Sequence, residues 1–114
     1  MSNLNKVMLI GNCAGKPECR ETQSGKKVAN LRVATNRWWR DDSGEHQSTE
    51  WHDVVTWDRL AEQCSEQLEK GRQVFVEGRI KTSSWKDEQG QDRYKKEIVA
   101  SRVSFLGSRP QAAA

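Results

Sequence analysis

Apolar residues along this chain fall mainly at alternate positions, in short runs separated by polar, glycine-containing turns. That is the pattern of strands with one buried face. Asn5 to Asn12 (NKVMLIGN) is β-rich and broken by Gly11, and the turn-prone Ala14-Gly15-Lys16-Pro17 follows. A hairpin-type turn at Gln23-Ser24-Gly25-Lys26 leads into Val28 to Asn36, with Ala29, Leu31 and Val33 inward and Asn30, Arg32 and Ala34 outward. Arg37 to Thr49 is polar and unpatterned, and is expected to be a long loop with Asp41-Asp42-Ser43-Gly44 at its tip. Glu50 to Trp57 (EWHDVVTW) is the next strand. Alternation sets Trp51, Asp53, Val55 and Trp57 on one face and His52, Val54 and Thr56 on the other.

The period then changes. Asp58 reads as the N-cap of a helix over Arg59 to Lys70, closed by Gly71, with Leu60, Ala61, Cys64 and Leu68 as its buried stripe. Gln73 to Thr82 returns to alternation, with Val74, Val76, Gly78 and Ile80 against Phe75, Glu77, Arg79 and Lys81. Gly78 marks a bend or bulge at a barrel corner. Asp87 to Asp92 is a polar hairpin loop, and Tyr94 to Leu106 is the last strand. Three strands, one helix and two strands make an all-β fold with one helix. The expected architecture is a five-stranded OB-fold barrel with the helix between strands 3 and 4, a layout whose strand face and loops bind single strands. On pattern alone an unrelated α+β fold also fits.

Length and composition narrow this picture. A chain of 114 residues is one domain, expected over residues 1–107, with 108–114 as a short extension carrying no acidic tail. Leu, Ile, Val and Phe together make only 20 of 114 residues, so the core is thin and oligomerisation is an expected support. No apolar run reaches a membrane span, and the start MSNLNKVMLIG lacks a signal-peptide core, so a cytoplasmic protein is expected. Cys13, Cys19 and Cys64 are odd in number and form no CxxC pair, which argues against a disulfide framework or a metal site. The net charge is +3, yet Asp58 to Lys70 holds four acidic and two basic residues, leaving +5 on the remainder. One acidic element on a basic body is compatible with a polyanionic partner.

Catalytic signatures are missing. Gly11-Asn12-Cys13-Ala14-Gly15-Lys16-Pro17 resembles a phosphate-binding loop, but it has three residues between its glycines and a proline after the lysine. The phosphate loop needs four residues there and a Ser or Thr. No G-x-S-x-G or HExxH occurs, so no enzyme and no cofactor are expected.

The five tryptophans are the strongest chemical signal, in a chain with two Phe and one Tyr. Trp38 and Trp39 lie between Arg37 and Arg40; Trp51 and Trp57 share a strand face; Trp85 has Lys81 and Lys86 nearby. The apolar alternations Ala29/Leu31/Val33 and Val74/Val76/Ile80 contain none of them. Indoles beside cations suit the bases and phosphates of an unpaired strand, because every base has a π-face and a duplex hides it. Trp38 and Trp39 cannot both point one way in an extended chain, and Trp39 is the expected binder.

Asn5-Lys6-Val7, Leu9-Ile10-Gly11-Asn12, Pro17-Glu18 and Arg20 resemble the start of bacterial single-stranded DNA-binding protein (SSB). Val28-Ala29-Asn30, Ala34-Thr35, Trp39-Arg40-Asp41, Thr49-Glu50-Trp51-His52, Val54-Val55 and Leu60-Ala61-Glu62 continue it. Lys70-Gly71, Gln73-Val74, Glu77-Gly78, Trp85 and Gly90-Gln91-Asp92-Arg93-Tyr94 complete it, over about residues 3–107.

The resemblance implies an OB-fold homotetramer that wraps single-stranded DNA without sequence preference in replication, recombination and repair. It puts stacking on Trp39, Trp51, Trp57 and Trp85, with Trp57 where phenylalanine is common, and puts His52 near the subunit contacts. The expected phosphate contacts are Lys6, Arg32, Arg40, Arg59, Lys70, Arg79, Lys81 and Lys86. Two departures stand out. Bacterial members usually continue through a flexible linker to an acidic tip that recruits partners, whereas this sequence stops at Ser108-Arg109-Pro110-Gln111-Ala112-Ala113-Ala114. Recruitment through such a tip is therefore not expected; a truncated chain and a phage or plasmid variant are both open readings, as is a chromosomal origin. Ser83-Ser84 stand where basic residues are frequent, and Asp53 lies between two tryptophans; both should weaken phosphate attraction locally. The alternatives are an OB module of primosome or RNA-binding type, and an OB domain used for protein docking.

Overall fold

The structure is a computed structural model and describes residues 2–107, so the short extension expected at 108–114 lies outside the described residues. Six strands and one helix follow in the order β1 (Val7–Cys13), β2 (Cys19–Glu21), β3 (Lys27–Asp41), β4 (Gly44–Trp57), α1 (Asp58–Gln67), β5 (Gln73–Lys86) and β6 (Asp92–Leu106). The strands run in the spatial order β1-β5-β6-β4-β3-β2, and β1 also pairs with β3, which closes the first five into a barrel. Short β2 is appended to the outside of β3, and the helix lies between β4 and β5. This is the OB-fold expected from the pattern. Among the described residues no helix is long and apolar enough to cross a membrane.

The core is filled from the faces that the alternation assigns inward. Leu31, Val33, Val54, Val74 and Val76 meet Cys13, Cys64, Leu68 and Ile98, with Leu60, Val103 and Phe105 packed around them. Thr56 is the one buried polar residue of the core among those described, and its hydroxyl donates to the Ala29 carbonyl oxygen at 2.9 Å. Closure depends on glycine. At Gly11 a Cβ would collide with the Ala34 carbonyl oxygen and stand 2.8 Å from Val33 Cγ1, so only hydrogen lets β1 approach β3. Gly78 has the same role against Val99, and the β5–β6 register shifts between Glu77 and Gly78, the bulge expected there.

Residues 37–49 are not a loop. The β3–β4 ladder runs without interruption from Val28↔Trp57 to Asp41↔Gly44, turning through Asp42 and Ser43. Asp41 Oδ1 accepts from the Ser43 amide at 2.8 Å and the Ser43 hydroxyl at 2.6 Å, and Gly44 takes φ 118. The turn is thus locally specified. Beyond the last β1–β3 pair, Asn12↔Ala34, this hairpin stands clear of the barrel as an arm. Both its faces meet solvent, so no apolar alternation announces it.

The helix differs at both ends from its expected form. Asp58 is its first residue, not its cap, and has φ 58; Trp57 holds the cap position without a side-chain hydrogen bond. A capping side chain needs extended backbone at its own residue to fold over the first amides. At the other end Gln67 is the last helical residue and Leu68 is extended, which drives its fully buried side chain into the core. Gly71, at φ 92, then lets its amide reach the Cys13 carbonyl oxygen at 2.7 Å and ties the turn to β1. Asn5 precedes β1 instead of belonging to it: its side chain donates to the Ile80 carbonyl oxygen (2.8 Å) and accepts from the Ile80 amide (2.9 Å), as a strand neighbour would.

Candidate functional site

Directly opposed residues of a ladder share a face, so the register sorts side chains into those entering the core and those facing outward. The outward set on β4 is Trp51, Asp53, Val55 and Trp57, as alternation predicts; opposite them on β3 stand Ala34, Arg32, Asn30 and Val28. β6 joins β4 through Val54↔Ile98 and Val55↔Val99, and it joins β5 through Lys81↔Glu97, Ser83↔Lys95 and Trp85↔Arg93. One continuous outer surface therefore carries Trp51, Trp57 and Trp85. Interleaved with them are Arg32, Arg79, Lys81, Arg93 and Lys95.

The three indoles are open to solvent, at 50% for Trp51, 38% for Trp57 and 49% for Trp85. Each is mounted on a paired strand, so its position is set by the barrel. The Arg32 guanidinium lies 4.9 Å from the Trp51 ring centroid, within cation–π range. Trp57 borders an open groove with Thr22, Ser24, Lys26 and Asp58. Trp51 and Asp53 edge a cleft of about 360 Å³ whose apolar wall is Val7, Leu9, Ile80 and Ile98. Asp53 is paired: its Oδ2 is 3.7 Å from Lys95 Nζ, and Lys95 is also 3.9 Å from Glu97.

Trp39 lies elsewhere. It pairs with His46 on the ladder face that, nearer the barrel, carries the core residues Leu31 and Val33. The two rings stack at 5.2 Å and 23°, and the Arg37 guanidinium sits over the same indole at 5.2 Å. His46 Nε2 is in turn 2.9 Å from Asp41 Oδ1 and 2.8 Å from Ser43 Oγ. The hydrogen bonds from Ser43, and then His46, hold the Asp41 carboxyl below its ordinary range.

The expected phosphate ligands are dispersed. Arg32, Arg79 and Lys81 share the outer surface with the three indoles. Arg40 lies on the arm, 3.6 Å from Glu45. Lys6 pairs with Glu77 at 2.9 Å, and that contact holds the Glu77 carboxyl below its usual value. Lys86 opposes Asp92 at the far end of β5, on the other face from Trp85. Arg59 is the second residue of the helix, and exposed Lys70 lies in the turn after it. His52 lies on the core side of β4, half-buried, with Nε2 2.9 Å from Thr35 Oγ1. Sequence reasoning missed Arg93 and Lys95. Their alternation with Glu97 and Val99 was readable, but which face it met depended on the bulge at Gly78.

The comparisons with known proteins agree with this geometry. The model of the single-strand binding protein family matches residues 4–106. Single-stranded DNA-binding protein 1 of Chlorobaculum tepidum is 49% identical over 108 residues, covering 93% of this chain and 67% of that protein. Among solved structures, the Plasmodium falciparum SSB in complex with single-stranded DNA superposes with a TM-score of 0.83 at 33% identity, covering 94% of this chain and 98% of that one. A deletion mutant of the single-stranded DNA binding protein of Thermus aquaticus gives 0.80 at 32% identity, over 93% of this chain and 52% of that one. A barrel with this topology, matched along nearly its whole length, leaves one assignment: the chain belongs to the single-strand binding protein family.

Proposed function

We infer that this protein binds single-stranded DNA without reading its sequence. In this reading bases stack on Trp39, Trp51, Trp57 and Trp85 while Arg32, Arg79 and Lys81 neutralise phosphates between them. Lys6, Arg40, Arg59, Lys70 and Lys86 supply the outlying charge that a wrapped strand meets beyond that surface. The observation that carries it is the shared outer surface of β3, β4, β6 and β5, with three half-open indoles among cations. Stacking contributes roughly 1–3 kcal/mol per base and is indifferent to base identity. The barrel fixes the indoles in advance, so binding orders the DNA far more than the protein. At Trp39 a base must replace either His46 or Arg37 on the ring, so its net gain is smaller. Such binding suits replication, recombination and repair in the cytosol, where unpaired strands need cover.

Titration with poly(dT) tests this reading. It should quench much of the intrinsic tryptophan emission, while duplex DNA of equal phosphate concentration should leave it nearly unchanged. Emission that stays unquenched at saturation would sink the stacking mechanism and favour an OB domain used for protein docking. Competition between DNA and RNA oligomers separates the RNA-binding alternative.

Assembly as a homotetramer, with His52 near the subunit contacts, belongs to the same proposal. Its support is the thin core and the exposed Met8 and Ile10, which face outward from β1 beside Phe75 and Glu77. Sedimentation with and without oligo(dT) reads the assembly directly.

A further inference from the structure

We propose that Trp38 is a fifth base-stacking residue, a second indole through which the β3–β4 arm holds an unpaired base. The proposal rests on the single-strand reading above and adds a residue to it.

Register is the first ground. Trp38↔Gln47, Asn36↔Thr49, Ala34↔Trp51 and Arg32↔Asp53 alternate along one face of the ladder, so Trp38 continues the face that carries Trp51 and Trp57. It stands four residues from Ala34, the partner of Trp51, which is about 13 Å along a strand at 3.3 Å per residue. About four stacked nucleotides cover that distance at 3.4 Å each. A strand lying on Trp51 and continuing along the arm meets Trp38 without crossing to the other side. Trp39 faces the other side of the ladder, and both indoles border one open groove with Arg40, Glu45 and His46.

Availability of the ring is the second ground. Trp38 is 70% exposed, and among the described residues no aromatic ring or guanidinium covers it. Trp39 is 37% exposed, stacked on His46 and overlain by Arg37, so the arm's own packing already uses its π-surface. Arg40 provides a cation two residues beyond Trp38 on the same face, its present partner Glu45 being 78% exposed. A large indole left bare on one side of a two-stranded arm is a surface awaiting a flat, apolar ligand. On this face that ligand is a base.

The test compares the full chain with W38A, W38F, W39F and, as a positive control, W51A. Oligo(dT) affinity, quench amplitude and sedimentation are measured for each. W38A should lose about 5- to 150-fold in affinity, with an unchanged salt slope because no charge is removed. W38F keeps a π-face and should bind within a few-fold of wild type, while showing a smaller total quench than wild type. Loss of binding by W51A with full binding by W38A would overturn this proposal and leave the single-strand reading standing. Failure of the wild-type chain to bind or quench would overturn both. A change of assembly mass in W38A, without DNA, would mean that Trp38 is covered by a second copy, and would likewise overturn it. Should W38A fold poorly, a W38F quench equal to wild type is sufficient to reject the role.

Discussion

Lys95 Nζ stands 3.7 Å from Asp53 Oδ2, reaching from β6 to the carboxylate that separates Trp51 from Trp57. Arg32 is directly opposite the same carboxylate on β3. An acid between two stacking indoles is thus flanked by two cations, one of which also overlies Trp51. The surface keeps its charge pattern local: Asp53 orders the cations and at the same time spends part of their attraction for phosphate.

Replacing Asp53 with Asn should therefore tighten binding to oligo(dT). The exposed pair holds the fold by less than about 1 kcal/mol, so stability should hardly move. Affinity should rise roughly two- to tenfold at low salt, and the gain should shrink as salt screens it. If Lys95 then takes one phosphate, the log–log salt dependence steepens by about 0.7. Titrations at several salt concentrations, with K95A beside D53N, check this. Equal affinity at low salt would mean that Lys95 remains held by Glu97, 3.9 Å away.

The barrel seam is expected to be intolerant of a single methyl group. At Gly11 the obstruction is the Ala34 carbonyl, and at Gly78 the Val99 carbonyl; backbone in a paired strand cannot step aside. G11A and G78A should each lower stability by roughly 2–4 kcal/mol, in the overpacking and strain range. Gly15 has nothing within 4 Å of an added Cβ, so G15A should be close to neutral. Urea unfolding at one fixed protein concentration compares them, since assembly would make the midpoint concentration-dependent.

The barrel was legible because its strands are buried on one side only. Leu31, Val33, Val54, Val74 and Val76 record that burial in their spacing, and the structure puts all five in one core. The arm was illegible for the same reason reversed: with solvent on both sides, its ladder leaves no apolar period in Arg37 to Thr49. Cross-strand pairs such as Trp39–His46 and Arg40–Glu45 hold it instead, and these have no one-dimensional signature. Asp58 has the residue type of a cap but not the backbone, and Leu68 has helical spacing but enters the core from an extended residue. Of the site, the composition of the indole face on β4 was readable. Its extension to Arg93 and Lys95 was not, because that depends on how β6 is registered against two neighbours.

Thiol chemistry should follow burial. Burial, and then proximity to Cys13, pushes the Cys64 thiol up to about 12, and burial also raises Cys13. A thiol-specific reagent at neutral pH should label half-exposed Cys19 in the native protein and the other two only after unfolding. The folded state holds the Cys64 proton more tightly than the unfolded chain, whose thiol titrates near 9. Stability is therefore full below pH 9 and falls between pH 9 and about 12. Denaturant midpoints across that range should decline, and C64A, less stable overall, should decline less. Toward acid the sign reverses. Glu77, held down by Lys6, and Asp87, held down first by the Gln91 amide, favour the fold above their ordinary carboxylate values and lose that contribution as pH falls through the lowered ones.

The arm should prove separable from the barrel in function. Gly44 takes φ 118 at the turn, with open space around it, so alanine there is strained in backbone alone. The cost, about 1–2 kcal/mol, falls on a hairpin whose residues make no part of the core cluster. G44A should then fray the tip, loosening the Asp41–Ser43–His46 contacts and with them the support under Trp39. Global unfolding should shift by only a few tenths of a kcal/mol, since local opening of an exposed ladder is nearly independent of the core. Affinity for long oligo(dT) should fall several-fold as the arm's indoles lose their fixed positions, because the DNA must then order them on binding. Short oligo(dT) that spans only Trp51, Trp57 and Trp85 should bind as it does to wild type. Equal losses on long and short oligomers would show that the arm works through the barrel and not as a separate contact.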